Sequence, residues 1–236
     1  MIKIKKIIPT ALLLTSISSA ALADNWNVGA SASYANIDGT AKDTQTTGAG
    51  DVVAQTRGAT GADADFPFAS IFVEYAKTID KNLDIVFGLD YVPFKAEIDS
   101  KSFADSSFEA GTAPVTATTG TRTAKLELKD YATLYLQPTY KIGGGTSDFG
   151  KVGYIHGDVK ISGSNTATGS TINDTDTLNG YVVGLGIQHN INKNLFIRLE
   201  GNYTDHDSVT ATDSKGTKFT ADSDLIAGKL SIGYSF

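Results

Sequence analysis

Apolar and polar residues alternate along most of this chain with a period of two, which indicates β-strands rather than helices. Eight segments show the alternation, and each has one apolar face and one mixed polar face. This pattern is typical of antiparallel strands whose two faces meet different surroundings. The predicted strands span 26–35, 67–77, 83–96, 124–141, 149–161, 178–189, 195–204 and 225–236.

The connections between these strands alternate between short and long. Short turns at 79–82, 143–148 and 191–194 contain Gly, Asn, Asp and Lys, which favour tight hairpins. An even number of strands, with short turns at one end and long loops at the other, predicts an up-and-down antiparallel barrel. The predicted long loops, rich in Thr, Gly, Ala, Ser and Asp, span 36–66, 97–123, 162–177 and 205–224.

The distribution of charges and aromatic residues distinguishes a membrane barrel from a soluble one. Charges lie along the mixed face, whereas the apolar face has aromatic residues near the strand ends and aliphatic residues between them. Two aromatic girdles around an aliphatic band are typical of a barrel in a bilayer. We therefore predict an all-β, eight-stranded transmembrane barrel, with a soluble periplasmic barrel as the alternative. The predicted membrane-interface aromatics are Trp26, Tyr34, Tyr75, Tyr91, Tyr140, Tyr181, Tyr203 and Tyr234.

The mixed face of the predicted strands then lines the lumen. Eight strands enclose a lumen just wide enough to be filled by side chains. Charges sealed inside it must pair to tolerate burial, and the sequence leaves the pairing open. The predicted lumen charge network consists of Glu74, Asp90, Asp158, Lys160, Arg198, Glu200 and Lys229.

The first 23 residues have the features of an export signal. Three lysines precede an apolar run, and Ala21-Leu22-Ala23 forms an A-x-A cleavage site. We expect a cleaved signal peptide at 1–23 and a barrel domain at 24–236. Loss of the three lysines makes the net charge more negative than the −6 of the full chain, which does not suggest nucleic-acid binding. The chain has no cysteine, which excludes disulfides and thiol catalysis.

Motifs for catalysis or metal binding are scarce. The three histidines are scattered, and the chain has no HExxH pattern, so we expect no metal site and no cofactor. His206 and Ser208 resemble the His–Ser pair of outer-membrane lipid A deacylase, and only Asp222 or Asp224 could serve as the acid. Both residues would face the lumen, away from lipid. We expect no enzyme, with a lipid-modifying enzyme and a small-solute channel as alternatives.

The C-terminal residues Ile232, Tyr234 and Phe236 resemble the assembly signal of outer-membrane proteins. With the strands and the export signal, the chain resembles the small OmpA/OmpX/opacity-protein class of outer-membrane barrels. This resemblance implies a structural or surface-interaction protein in the outer membrane of a Gram-negative-type bacterium, inserted by the barrel-assembly machinery among lipids and lipopolysaccharide. The even strand number places both termini in the periplasm and the long loops outside. We expect a monomer whose loops bind a host or environmental surface.

Overall fold

The computed structural model describes residues 24–44, 63–108 and 117–236. The predicted signal peptide and parts of the first two predicted loops lie outside these ranges. No helix in the described part of the chain is long and apolar enough to cross a membrane. The strands are β1 (Asp24–Thr44), β2 (Ala64–Asp80), β3 (Leu83–Val92), β4 (Ala96–Phe108), β5 (Ala117–Gly143), β6 (Thr146–Asn165), β7 (Ser170–Asn190), β8 (Leu195–Thr212) and β9 (Lys218–Ser235).

These strands form one closed antiparallel ring. Except for β3 and β4, consecutive strands in the described part of the chain pair with each other, and β1 pairs with β9 to close the barrel. Strands β3 and β4 share one position, because both pair with β5. The ring therefore has eight positions, and the predicted eight-stranded up-and-down barrel is confirmed.

The stagger of the strands fixes the shape of the barrel. Directly opposed residues, followed round the ring from Val28, return to β1 at Asp38, ten residues further along. A shear of this size with eight strands gives a strand tilt of about 40°. Such a narrow, strongly tilted barrel has room inside for side chains but not for a wide channel.

The predicted strand at 83–96 is broken in two. Pro93 has no N–H for the ladder, and pairing with β5 ends at Val92 and resumes at Ala96. Opposite this break, Asp130 of β5 adopts a left-handed conformation with φ of 48°. The ladder between β5 and β6 skips from Lys129 to Ala132 at the same level. The break and the bulge thus coincide on adjacent strands.

The bulge at Asp130 reverses the faces of the loop-side part of β5. An extra residue shifts the alternation by one, so every side chain beyond it changes sides. Leu126 and Leu128 were predicted outside, but both pack into the interior. The predicted face assignment of this part of the strand was wrong for that reason.

The predicted faces of the strand at 149–161 were also wrong. Phe149, Ile155 and Val159 are buried inside the barrel, whereas Tyr154 and His156 are exposed on its outer wall. Both faces of this strand contain apolar residues and glycines, so its own alternation was ambiguous. Pairing with β5 and β7 decides the orientation.

The predicted long loops are strand over much of their described length. A turn at 166–169 joins β6 to β7, and a short segment at 213–217 joins β8 to β9. Strand ends were predicted where the apolar outer face ends. Antiparallel hydrogen bonding continues beyond that point, because a strand that projects into water needs no apolar face and Thr favours strand structure. The hairpins therefore extend the barrel wall.

Candidate functional site

Aromatic side chains on the outer wall form two rings that enclose an aliphatic band. Within the band, Leu134 is 65% exposed and Leu185 is 74% exposed. So much exposed apolar surface indicates an apolar medium around the barrel. The ring near the short turns contains Trp26, Tyr75, Tyr140, Tyr234 and Phe236. The ring near the hairpins contains Tyr34, Tyr91, Tyr154, Tyr181 and Tyr203.

Tyr154 is an addition to the predicted aromatic set. It was predicted to face the lumen, but it packs edge-on against Tyr181 on the outer wall, with ring centroids 5.5 Å apart. The eight predicted interface aromatics all lie on the outer wall, exposed or half-buried. Ile232, Tyr234 and Phe236 of the predicted assembly signal also face outward.

The centre of the lumen holds a bidentate ion pair between β8 and β2. Arg198 Nη1 lies 2.7 Å from Glu74 Oε1, and Nη2 lies 3.1 Å from Oε2. Both side chains are almost completely buried. Glu74 also accepts hydrogen bonds from the Tyr135 hydroxyl at 2.5 Å and the Asn27 amide at 3.1 Å. The Arg198 guanidinium donates to Gln188 Oε1 at 2.8 Å, so both charged groups are well satisfied.

Two further ion pairs cross the lumen. Lys151 Nζ on β6 lies 2.5 Å from Glu200 Oε1 on β8, and Lys229 Nζ on β9 lies 2.5 Å from Asp90 Oδ2 on β3. Each side chain is at least nine-tenths buried. These pairs tie strands that are not neighbours in the sheet and fill the lumen with fixed charges.

The predicted charge network needs one correction. Five of its seven residues lie in the lumen, but Asp158 and Lys160 do not. They lie on the outer side of β6, since Gly157 and Val159 face inward. The prediction missed Lys151, whose ammonium group lies in the lumen and pairs with Glu200. The reason is that the prediction assigned the inward and outward faces of this strand the wrong way round.

Aromatic rings surround the Arg198 guanidinium in the lumen. Its guanidinium carbon lies 5.2–5.5 Å from the ring centroids of Phe72, Phe149 and Phe196. Glycines on neighbouring strands make room for these rings. A Cβ atom on Gly233 would lie 2.2 Å from the Phe196 ring. The Phe196 ring therefore lies directly against the backbone of β9 at Gly233.

The interior at the hairpin end is mainly apolar. We call this group of buried residues the apolar cap, and it lies beyond the ion pairs. At the cap, the Tyr131 hydroxyl and His206 Nε2 form a hydrogen bond of 3.2 Å. His206 Nδ1 lies 3.3 Å from Ser223 Oγ, and burial lowers the pKa of the imidazole below its usual value of 6.5. The cap consists of Ala35, Phe66, Val92, Ala96, Ile98, Leu128, Tyr131, Ile155, Leu178, Val182, Leu225 and Ala227.

The candidate His–Ser pair is not assembled. His206 faces inward to Tyr131 and Ser223, whereas Ser208 donates a hydrogen bond to Asp222. A bulge after His206 separates the two side chains. In the described part of the chain, no cluster of three or more His, Asp or Glu residues could hold a metal ion.

The barrel wall has a seam beside the break in β3. The ladder between β2 and β3 ends at Ile71, and the described residues form no ladder between β2 and β4. Residues 64–70 of β2 therefore pair only with β1 in this part of the molecule. Phe66 and Ile98 of the apolar cap lie on the two strands that flank the seam.

Comparisons with known proteins agree with this architecture. A family profile described as the outer membrane protein beta-barrel domain matches residues 10–235. The chain is similar to the outer membrane protein OprG from Pseudomonas aeruginosa, with 15% identity, a TM-score of 0.52, and coverage of 90% of this chain and 95% of OprG. It is also similar to Ail, the attachment invasion locus protein of Yersinia pestis, with 14% identity, a TM-score of 0.44, and coverage of 89% and 98%. No curated protein matches the chain significantly in sequence.

Proposed function

Because this chain belongs to the outer-membrane β-barrel family, we propose that it is a plugged barrel that acts as a structural or surface-interaction protein through its projecting hairpins. The layer of buried charges and aromatic rings around Arg198 and Glu74 is the observation that carries this proposal. We infer that the three ion pairs in the lumen obstruct the passage of ions and polar solutes. A barrel that does not conduct offers its outer hairpins as the surface for recognition.

The positions of the first and last strands support a proposed orientation. β1 begins and β9 ends beside the short turns, and Phe236 N lies 2.9 Å from Trp26 O. We place both termini and the short turns in the periplasm and the hairpins outside the cell, after cleavage of the signal at 1–23. Ile232, Tyr234 and Phe236 would present the C-terminal strand to the assembly machinery.

The outer wall accounts for the lipid contacts. The two aromatic rings would lie at the headgroup levels of the bilayer, where amphipathic rings are favoured. The hairpin-side ring would face lipopolysaccharide. Apart from the seam beside β2, the strands in the lipid-covered band pair with both neighbours, and β1 pairs with β9 to close the ring, so we propose a monomer.

Conductance and binding measurements test the proposal. In planar bilayers, the purified barrel should give no steady conductance. Binding should be measured against lipopolysaccharide, immobilised extracellular-matrix proteins and phage particles, with the intact protein and with a variant whose β6–β7 hairpin is shortened to a tight turn. A matched variant carries the same turn in place of 191–194 on the opposite side. Loss of binding only in the hairpin variant supports the proposal, whereas steady conductance or equal binding by both variants contradicts it.

We propose no catalytic role. His206 and Ser208, the candidates for lipid hydrolysis, hydrogen-bond to different partners, so Ser208 has no histidine base. Replacing Ser208 with Ala should leave the lipid A acyl pattern of the host membrane unchanged in mass spectra. A changed pattern would restore the enzyme hypothesis.

The seam between β2 and β4 favours a second candidate function, the lateral passage of apolar compounds. It begins at the level of Tyr91, beside the outer lipid leaflet, and the apolar cap lies behind it. The chain has no native cysteine, so a Pro67→Cys/Glu97→Cys pair can be bridged across the seam with a bismaleimide. If the seam admits apolar compounds, bridging should abolish uptake of N-phenyl-1-naphthylamine into barrel-containing vesicles, and the unbridged variant should keep it.

A further inference from the structure

Two polar side chains lie in a gap of the aromatic ring near the short turns. Strands β6 and β7 contribute no residue to this ring, and Asp148 of β6 and His189 of β7 are exposed on the outer wall at its level. Asp148 is directly opposite Tyr140 of the ring on β5 and Ile187 on β7, and His189 follows Ile187 by two residues. Asp148 and His189 are therefore diagonal neighbours on one face of the wall, at the depth of the lipid headgroups.

Asp148 presents a negative charge to the bilayer. Its cross-strand neighbours, Tyr140 and Ile187, are uncharged. Lys141, next to Tyr140 on β5, donates to Asp84 at 2.8 Å instead. A carboxylate at the boundary of the lipid phase is stabilised by a cation, and here the bilayer itself has to supply it.

His189 presents a hydrogen-bond donor beside this carboxylate. Thr146 Oγ1 lies 2.9 Å from His189 Nδ1. When the hydroxyl donates to Nδ1, the proton of the neutral imidazole is on Nε2, which then donates outward to an anionic oxygen. Diagonal neighbours on adjacent strands lie about 7–8 Å apart. One headgroup that contains both a cation and an anion can bridge such a span.

A largely apolar cavity opens beside Asp148 on the same wall. It has a volume of about 550 Å³, and Leu185, Ile187 and Leu199 line it. Gly201 also lines it, and a Cβ at this position would meet open space. Leu185 and Gly201 lie further from the short turns than Asp148, so the cavity extends from the headgroup level into the aliphatic band.

We propose that Asp148, His189 and this cavity bind one phospholipid with an ethanolamine headgroup. The ammonium group donates to Asp148, His189 donates to the phosphate, and an acyl chain lies in the cavity over Gly201. The short turns face the periplasm in the proposed orientation, which places the lipid in the inner leaflet. Only this choice of leaflet rests on the proposed function, whereas the binding rests on the geometry of the wall.

The charges of the site select among phospholipids. A glycerol headgroup has the phosphate but no ammonium, so it adds a negative charge beside Asp148 and leaves the carboxylate without a cation. An exposed ion pair changes a binding constant by up to about fivefold. The lower dielectric constant at the headgroup level strengthens the pair. We therefore expect phosphatidylethanolamine to bind about five to ten times more tightly than phosphatidylglycerol with the same acyl chains.

Native mass spectrometry of the full barrel in detergent, titrated separately with dioleoyl phosphatidylethanolamine and dioleoyl phosphatidylglycerol, tests the headgroup assignment. Asp148→Asn should abolish the preference for ethanolamine. Asp158→Asn, on the outer side of the same strand beyond the hairpin-side ring, should keep it. Equal binding of the two lipids to the wild type, or an unchanged preference in Asp148→Asn, would overturn the proposal. Neither the hairpins nor the orientation in the cell affects this measurement, so its failure is distinct from a failure of the proposed function.

A second variant tests the acyl-chain part of the site. Gly201→Leu fills the cavity and should weaken the binding of both lipids at least about threefold while leaving their ratio unchanged. Ala30→Leu, on the lipid-facing side of β1, adds the same side chain away from the cavity and should bind both lipids as the wild type does. Heat-dependent migration in detergent gels checks that both variants are folded. Unchanged lipid binding by folded Gly201→Leu would overturn the assignment of the cavity.

Discussion

The ion pair between Arg198 and Glu74 gives the sharpest test of the plugged lumen. In Arg198→Met, the carboxylate loses two charge-assisted hydrogen bonds and keeps only those from Tyr135 and Asn27. It remains buried without a cation. Removal of one partner of a buried pair destabilises a protein by about 3–5 kcal/mol. We expect a loss of that size in the free energy of unfolding.

The double variant Arg198→Met/Glu74→Met separates charge from packing. It removes the uncompensated charge and fills the space with apolar side chains, so stability should return to within about 1–2 kcal/mol of the wild type. Reversible urea unfolding in lipid vesicles measures both variants, with fluorescence of Trp26, the single tryptophan, as the signal. As a control, Lys125→Met breaks an exposed pair with Glu97 and should leave the unfolding midpoint unchanged. A single variant as stable as the wild type, or a double variant less stable than the single, would refute the reasoning.

Three further changes test the packing, the lipid contact and the titration of the barrel. Gly233→Val places a side chain against Phe196 and should destabilise the barrel by about 1–3 kcal/mol or more in the same unfolding assay. Leu185→Arg puts a cation into the lipid-facing band and should lower the free energy of folding into vesicles by about 2–4 kcal/mol. Because burial lowers the pKa of His206, the unfolded chain takes up a proton first as pH falls below about 6.5, so stability should decrease there. His206→Gln should flatten this dependence in unfolding midpoints between pH 5 and 7.

Each of these changes has a control elsewhere in the barrel. Gly228→Val, on β9 with open space beyond its Cα, should be tolerated, and equal destabilisation would argue against packing with Phe196. Thr177→Arg, on β7 beyond the hairpin-side aromatic ring, should fold as the wild type does. If it is as unstable as Leu185→Arg, the assigned lipid boundary is wrong. His156→Gln, exposed on the outer wall, should leave the pH dependence intact. A wild-type barrel whose stability is constant from pH 5 to 7 would contradict the role of His206.

Local alternation by itself determined the β-barrel class and most of the strand faces. It is reliable where one face is consistently apolar, as in β8, with Ile197 and Leu199 outside and Arg198 and Glu200 inside. A one-residue slip in such a strand would expose charges to lipid, so the pattern and the structure must agree. The two girdles of aromatic residues on the outer wall were predictable for the same reason.

Only the tertiary structure decided the details of the lumen. Lys151 was missed because both faces of β6 contain apolar residues, and only pairing with β5 and β7 fixes which face points inward. The bulge at Asp130 reversed the loop-side half of β5, which no local pattern signals. The partners in each ion pair lie on strands two or three positions apart in the ring. The closure and stagger of the barrel therefore determine which charged residues pair. Sequence periodicity reports which medium a strand faces, whereas the closed ring determines which side chains meet across the lumen.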